Sequence, residues 1–324
     1  MILSSLSGLY GAVATWRRRW YEREPGRRRT LTRPVVSIGN LRVGGSGKTP
    51  IAAHIARLLL GHGYRPSILT RGYGRRRSAD GVTVVSDGRQ VLADLSHAGD
   101  EPLMLARALR GAPVLVSPDR YAGGLLAERR FGATVHLLDD GFQHVQLART
   151  VDLLLVDESD LTDEPLPAGR LREPLRNSAA ADAVLVTSED PSAPQRVGRA
   201  LRVSTVFRVA RALGLPSTPV PSASRVYAVA GVARPERFFA DLQAAGWQVG
   251  GSLAFRDHHH FSREDVARIE AEAVATGASA VMTTEKDAVR LDVSSDHRLP
   301  IVVVPLIATV EPTGEFRSWL IARL

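Results

Sequence analysis

Of the 42 lysines and arginines in this chain only two are lysine, Lys48 and Lys286. A compact ammonium and a planar guanidinium are not interchangeable, so each surviving lysine marks a position that arginine does not fill. Lys48 ends the string Gly39-Asn40-Leu41-Arg42-Val43-Gly44-Gly45-Ser46-Gly47-Lys48 and is followed by Thr49. The string follows an apolar run at 34–38 and opens a helical pattern at 48–61, the strand–loop–helix setting of a phosphate-binding loop. There Gly44, Gly45, Ser46 and Gly47 curl backbone amides around phosphate oxygens, and the helix N-terminus adds partial positive charge. Lys48 reaches the outer phosphates, and the Thr49 hydroxyl holds Mg²⁺. The entrance is non-standard: Arg42 stands where the general pattern has glycine, and the nearest upstream glycine is Gly39.

Such a loop needs carboxylates for its metal, usually at the end of a neighbouring strand. Asp139 and Asp140 close the apolar run 134–138 and precede Gly141-Phe142-Gln143-His144, a strand end where ligands of open α/β sheets sit. A second pair, Asp100-Glu101, opens a helix between Gly99 and Pro102. Adjacent side chains diverge, so one carboxylate can meet a metal while the other faces an acceptor hydroxyl as a base. A helix-capping role is compatible with both pairs. Three consecutive histidines, His258, His259 and His260, follow Asp257. Neighbouring rings diverge and no Cys or Glu lies at a zinc-like spacing, so a metal site is not expected; a histidine oriented by Asp257 can instead tune a base. The basic loop from Arg71 through Tyr73 to Arg77 follows the strand pattern 66–70, placed to grip an anionic head group. Lys286 follows the run 280–282, and its partner stays open between a nucleotide base and an ion pair with Glu285 or Asp287.

The elements that position these groups alternate. Strand patterns fall at 34–38, 66–70, 82–85, 113–116, 134–138, 151–156 and 183–187, with helices at 48–61, 100–110 and 119–131. That alternation predicts an α/β chain with a parallel sheet covered on both faces. The Pro/Ser-rich stretch 214–225 reads as a linker between a phosphate-loop domain (34–213) and a smaller α/β domain (226–324). In the latter, strands are expected at 226–230, 247–253, 279–283 and 300–304, and helices at 235–245, 262–276 and 314–323. Two domains suit 324 residues at roughly 150 residues each.

Residues 1–33 form a third segment. Positions 1–16 carry no charge and hold Leu3, Leu6, Leu9, Tyr10, Val13 and Trp16; Arg17, Arg18, Arg19, Arg23, Arg27, Arg28, Arg29 and Arg33 follow, with Trp20 and Tyr21 among them. As a helix the uncharged stretch reaches about 24 Å, short of a bilayer core of about 30 Å. Apolar residues, aromatics and then a basic cluster make the pattern of an interfacial anchor on an anionic leaflet. Charge placed after the apolar stretch argues against a secretory signal. The absence of cysteine gives no sign of an oxidising compartment. The net charge of +8 suits an anionic partner. Nucleic acid is disfavoured, because the arginine excess gathers at the N-terminus and only 6% of residues are aromatic, with no stacking platform.

Taken in order, Gly39-Asn40-Leu41 to Gly47-Lys48-Thr49-Pro50, Arg71-Gly72-Tyr73-Gly74-Arg75, Gly99-Asp100-Glu101-Pro102, Asp139-Asp140-Gly141-Phe142-Gln143-His144, Leu166-Pro167-Ala168-Gly169-Arg170-Leu171-Arg172-Glu173 and Thr284-Glu285-Lys286-Asp287-Ala288-Val289 resemble the tetraacyldisaccharide 4′-kinase family, the LpxK lipid A kinases. The resemblance runs from the N-terminal helix to about residue 290. It implies a P-loop NTPase-like α/β/α domain, a second, smaller α/β/α domain joined by a β-strand linker with the active site in the cleft, and an N-terminal membrane-associated helix. It implies ATP-dependent phosphorylation of the 4′-hydroxyl of a tetraacylated disaccharide 1-phosphate, a lipid A precursor, at the cytoplasmic face of the inner membrane. It assigns Asp100 as base, His258 as its assistant, Lys48 and Thr49 to phosphate and Mg²⁺, and Glu101, Asp139 and Asp140 to the acids around the metal. Arg71, Tyr73, Arg120 and Arg172 fall where the substrate's phosphate and sugars are expected. The competing reading from the residues is a membrane-associated P-loop ATPase or GTPase acting as a switch or metallochaperone. It needs Lys48, Thr49 and Asp139 but neither the base nor the arginine grip. Oligomeric state and acyl-chain specificity have no signature in the sequence.

Overall fold

A computed structural model describes residues 2–45, 47–77, 81–221, 224–291 and 297–324. The chain divides into two compact units, one of Met1–Ala210 with Ala308–Leu324, the other of Arg211–Ile307. The larger unit begins with α1 (Ile2–Arg23), β1 (Val35–Asn40), α2 (Lys48–Gly61), β2 (Pro66–Thr70), β3 (Thr83–Ser86), α3 (Leu95–Ala98), α4 (Asp100–Ala108) and β4 (Val114–Val116). It continues through α5 (Arg120–Phe131), β5 (Val135–Asp139), β6 (Val151–Asp157), β7 (Ala183–Thr187), α6 (Ala193–Leu201) and β8 (Val206–Leu213). The smaller unit carries β9 (Arg225–Ala230), α7 (Pro235–Ala244), β10 (Gln248–Ala254), α8 (Arg263–Ala275), β11 (Ala280–Thr284), α9 (Glu285–Ala288) and β12 (Ile301–Val304). The chain then returns through β13 (Leu306–Glu311) to α10 (Thr313–Ile321).

Among the described residues the larger sheet has nine strands in the order β13-β8-β7-β6-β1-β5-β2-β4-β3. From β8 to β4 every neighbouring pair is parallel, and β3 is antiparallel on β4. The central strands are buried along their whole length, β1 and β5 at every residue. That is why they read as continuous apolar runs and not as alternating ones. The smaller sheet, β10-β9-β11-β12, is parallel throughout. Its two faces can be read from β9 alone: Val226, Ala228 and Ala230 enter one apolar cluster with Phe238 and Leu242, while Tyr227 and Val229 enter another with Ile269 and Ala273. Period-two alternation with both sets apolar is what helices on both faces require.

The parallel frame matches the sequence expectation, with some elements added and one displaced. β8, α6 and β13 carried no clear pattern of their own. The helix expected at 314–323 is present as α10 but clusters with the larger unit, where Phe316 is buried and stacks edge-on against Phe207 of β8 with 5.2 Å between centroids. The chain leaves the larger unit inside β8 and re-enters inside β13, so the change of unit precedes the Pro/Ser-rich stretch. Residues 222–223 of the expected linker lie outside the described residues.

Parallel pairing gathers the strands' carboxyl ends along one rim. β1 ends at Asn40, β5 at Asp139 in register with Ile38, β2 at Thr70 before Arg71, and β4 just before the loop that carries Asp119 and Arg120. A close backbone approach fixes the two central ends. A Cβ on Gly39 would lie 2.5 Å from Phe142 Cβ and 2.6 Å from Phe142 N. Backbone cannot retreat as a flexible side-chain end can, so Gly39→Ala must push β1 and the Asp140–Phe142 turn apart. We expect a loss of about 1–3 kcal/mol, measured by chemical denaturation. An unchanged denaturation midpoint would show that the contact is not tight.

Candidate active site

The phosphate-loop backbone has the conformation its glycines were expected to supply. Gly44 (φ +97°) and Gly47 (φ +81°) both lie in the left-handed half of backbone space, and Gly47 caps α2. A Cβ at either would meet open space, so the constraint there is the dihedral and not crowding. Gly45 is exposed, and Ser46 lies outside the described residues. Thr49 is buried in the first turn of α2.

Lys48 is tied into a polar network. Its Nζ donates to Asn40 Oδ1 at 3.0 Å and lies 3.4 Å from Asp140 Oδ1. Arg172 grips the same carboxylate with both Nη atoms, at 2.9 and 2.7 Å, and also donates to Asn40 Oδ1 and to the Asn40 carbonyl. Gln143 Nε2 donates to that carbonyl at 2.9 Å. Asn40 is therefore the hub of this network. The sequence motif contains it, but its chemical type alone gave it no role.

The two adjacent aspartates are driven apart in acidity. Burial, the Glu101 carboxylate and the Asp140 carboxylate push Asp139 up to about 7, against the pull of Lys48 and Arg120. Burial also disfavours charge on Asp140, but the Arg172 fork and Lys48 overcome it and hold this carboxyl well below the usual carboxylate range. Asp140 has φ +57°, a left-handed conformation uncommon for a residue with a side chain and a mark of sites that need a particular direction. Asp139 Oδ1 is buried with no hydrogen-bond partner among the described residues. An orphaned carboxylate oxygen at a strand end, beside Glu101 and near a helix-opening threonine, suits a hard divalent cation. Among the described residues no three acidic, His or Cys side chains form a preformed cage.

Around this centre, Asp100 is buried at the start of α4, which Gly99 caps at φ +83°. A Cβ on Gly99 would stand 3.0 Å from the Tyr73 carbonyl, and one on Gly72 would stand 2.4 Å from Val116 Cγ1 and 3.2 Å from the Ala98 carbonyl. The Arg71–Arg77 loop is thus laid against the acid-bearing helix start. It leaves Arg71 exposed and the Tyr73 ring 80% exposed. Arg120 is buried, with its Nε unpartnered among the described residues. Burial and Arg71 pull it down to about 10, while Asp140 and Asp139 favour its charge, so it remains cationic at neutral pH. Arg172, expected at substrate, here serves Asp140 and Asn40.

The smaller unit holds its own cluster. Lys286 Nζ donates to Asp257 Oδ1 at 2.9 Å and lies 3.4 Å from His258 Nε2. The lysine thus forms an ion pair with Asp257, a partner the sequence had not offered. Arg290 Nη2 lies 2.9 Å from His258 Nδ1. A guanidinium only donates, so Nδ1 is the acceptor of that bond. His258 adopts φ +63°. His259 points elsewhere: it bonds Asp265 at 2.8 Å and stacks on Phe255 at 4.6 Å. Of the two, His258 is the one turned to the Asp257–Lys286 pair. Arg290 carried no sequence signal.

One arginine of the N-terminal basic cluster departs from expectation. Arg18 is 3% exposed and faces the protein interior.

With that geometry in place, comparison with known proteins is direct. The family model described as "LpxK: Tetraacyldisaccharide-1-P 4'-kinase" matches residues 1–324. A curated tetraacyldisaccharide 4'-kinase of Geobacter metallireducens is 40% identical over 299 residues, 90% of this chain and 88% of the relative. Another, from Koribacter versatilis, is 39% identical over 310 residues, 94% of this chain and 93% of that protein. Among solved structures, the LpxK of Aquifex aeolicus in complex with ATP aligns with a TM-score of 0.79 at 30% identity, covering 100% of this chain and 99% of that one. A match along the whole length means that this chain belongs to the tetraacyldisaccharide-1-phosphate 4′-kinase (LpxK) family.

Proposed function

We propose that Lys48, Asp140, Asp139 and Asp100 carry the family's reaction in this chain: transfer of the γ-phosphoryl group of ATP to the 4′-hydroxyl of a tetraacyldisaccharide 1-phosphate. The observation that carries this reading is the network of Lys48 and Arg172 on Asn40 and Asp140, at the paired ends of β1 and β5. It stores two cations beside a glycine loop, where a triphosphate's oxygens can replace the protein acceptors. The relative solved with ATP supports that nucleotide as donor. The family membership leaves the switch or metallochaperone reading without support.

A sugar hydroxyl is a weak nucleophile, and the barrier falls through alignment and charge stabilisation. Asp100 takes the 4′-hydroxyl proton as the oxygen attacks phosphorus; the bond to the β-phosphate oxygen breaks and ADP leaves. Lys48 moves from Asn40 and Asp140 to the β- and γ-oxygens. Mg²⁺, when bound through Thr49, Asp139 and Glu101, neutralises charge on those oxygens. Arg71, Tyr73 and Arg120 suit the anionic head group, the first two by exposure and the third by its retained charge. The family's assisting histidine falls on His258.

The lipid acceptor explains α1. Among the described residues no helix is long and apolar enough to cross a membrane. Instead α1 is inverted. Ser7, Gly11, Thr15 and Arg18 are buried, while Leu3, Leu6, Leu9, Tyr10, Val13, Trp16 and Trp20 are exposed by 39–66%. An apolar stripe turned outward beside exposed arginines suits a helix lying in an anionic interface. We propose the cytoplasmic face of the inner membrane as its site of work, a reading that the outward apolar stripe supports as far as membrane contact goes.

Three outcomes are expected. Asp100→Asn binds ATP but loses about 10²–10⁴-fold in phosphorylated lipid read by mass spectrometry; full transfer would remove Asp100 from its role. Replacing Leu6, Leu9, Val13 and Trp16 together by serine frees the enzyme from anionic vesicles in a sedimentation assay, and unchanged binding would refute the interfacial helix. Third, the raised acidity constant of Asp139 has a stability consequence. Its folded value of about 7 lies above the unfolded value of 3.8, so ionisation opposes folding increasingly from about pH 4 to pH 7. Asp139→Asn should therefore melt several degrees above the parent at pH 8 without ligands, with the gap closing toward pH 4. Equal melting temperatures across that range would show that Asp139 carries no such penalty.

A further inference from the structure

We infer that Arg18 is a positioning residue for phosphoryl transfer: from the N-terminal helix, one guanidinium pins both chain segments that carry the Asp140–Arg172 pair. This rests on the assignment of Asp140 to the phosphate site.

The contacts converge on a small buried volume. Arg18 Nε donates to Glu173 Oε2 at 2.8 Å, and Nη2 donates to Glu173 Oε1 at 2.9 Å and to the Phe142 carbonyl at 2.8 Å. The guanidinium also lies over the Phe142 ring, 4.0 Å from its centroid. Glu173 is itself buried and accepts from Asn177 Nδ2 at 2.7 Å. Glu173 is the residue after Arg172, and Phe142 lies two residues beyond Asp140. Holding Glu173 fixes where the Arg172 fork begins. Holding the Phe142 carbonyl fixes the turn that keeps Asp140 at φ +57°.

That turn needs holding from outside. A left-handed conformation at a residue with a side chain persists only where the surroundings over-determine it. Gly39 presses on Phe142 from the β1 side, and Arg18 bonds it through its carbonyl. A buried charge pair contributes little net stability, because desolvation offsets attraction, but it specifies geometry. A fork that bonds a carboxylate, bonds a carbonyl and stacks on a ring at once has no lysine equivalent.

The test uses the full-length enzyme with lipid acceptor in mixed micelles. Arg18→Lys and Glu173→Gln both keep charge or shape in the buried site, and the folded fraction of each is taken from its thermal melt. We expect kcat per folded molecule to fall about 10- to 100-fold, the loss that small misplacement brings, with KM for ATP and for lipid nearly unchanged. A role confined to anchoring the helix would lower the melting temperature and leave kcat per folded molecule intact, which would overturn the inference. A rise in lipid KM alone would overturn it too, making Arg18 an acceptor contact. Asp140→Asn serves as the control. If it transfers phosphate normally, the site assignment itself fails; if it is inactive while both other variants keep full kcat, only the role of Arg18 falls.

Discussion

Two parallel strands ending side by side set the terms for everything else in the larger unit. Once β1 pairs with β5, Asn40 and the Asp139–Asp140 step are forced together, and two carboxylates must share a buried corner with one lysine. Like charges at that range cannot both be ionised cheaply in a poorly solvated place. The chain resolves the conflict by asymmetry. Arg172 and Lys48 commit to Asp140, which stays ionised, and Asp139 is left buried, partly protonated and, among the described residues, without a partner for Oδ1. The unresolved half of the conflict is the useful half. A divalent ion held there, as proposed above, would supply the positive charge that Asp139 Oδ1 does not meet among the described residues.

How much of this was legible beforehand follows from what kind of signal each part leaves. Buried parallel strands leave continuous apolar runs, and β1, β2, β5, β6 and β7 were readable within a residue or two. Lys48 stood out because lysine is so scarce here. Asp139 and Asp140 stood out because a phosphate loop calls for acids at the end of a neighbouring strand. Edge elements left less. β8 alternates weakly between buried and half-exposed residues, and the placement of α10 depends on Phe316 meeting Phe207, more than a hundred residues away. No local pattern encodes such a pairing. Asn40 and Gln143 were invisible for another reason: an amide side chain becomes a hub only through what stands around it.

The arginines show the same limit more sharply. As a sequence, the Arg17–Arg19 triplet is one cationic block and invites one explanation. On a helix, successive residues are turned by about 100°, so a block of charge is divided among faces. Arg19 is exposed, Arg17 is half-buried and donates to the Gln143 carbonyl, and Arg18 is enclosed with Glu173. Composition reports how much charge a segment has, but helical phase decides which charge meets solvent and which meets the core. Phase could have been drawn from Ser7, Gly11 and Thr15, which lie on the same face as Arg18. They are small and polar, however, and a search for apolar stripes takes the opposite face as the inner one.

That inverted reading has a physical resolution. A helix in water buries its apolar stripe, and α1 does the reverse: Gly11 packs so closely that a Cβ there would stand 2.8 Å from Pro174 Cγ, while Trp16 and Leu9 face outward. Such an arrangement suits an outer face with an apolar medium of its own, as the bilayer seat proposed above would supply. The inner face must then hold the helix without a hydrophobic stripe. It does so with a close glycine contact, the bond from the Ala168 amide to Ser7, the bonds of Thr15, and the buried Arg18 fork. Directional bonds fix rotation and depth more sharply than apolar contact does. One choice of residues thus leaves the apolar stripe outward and still fixes the helix against the segments that carry Asp140 and Arg172.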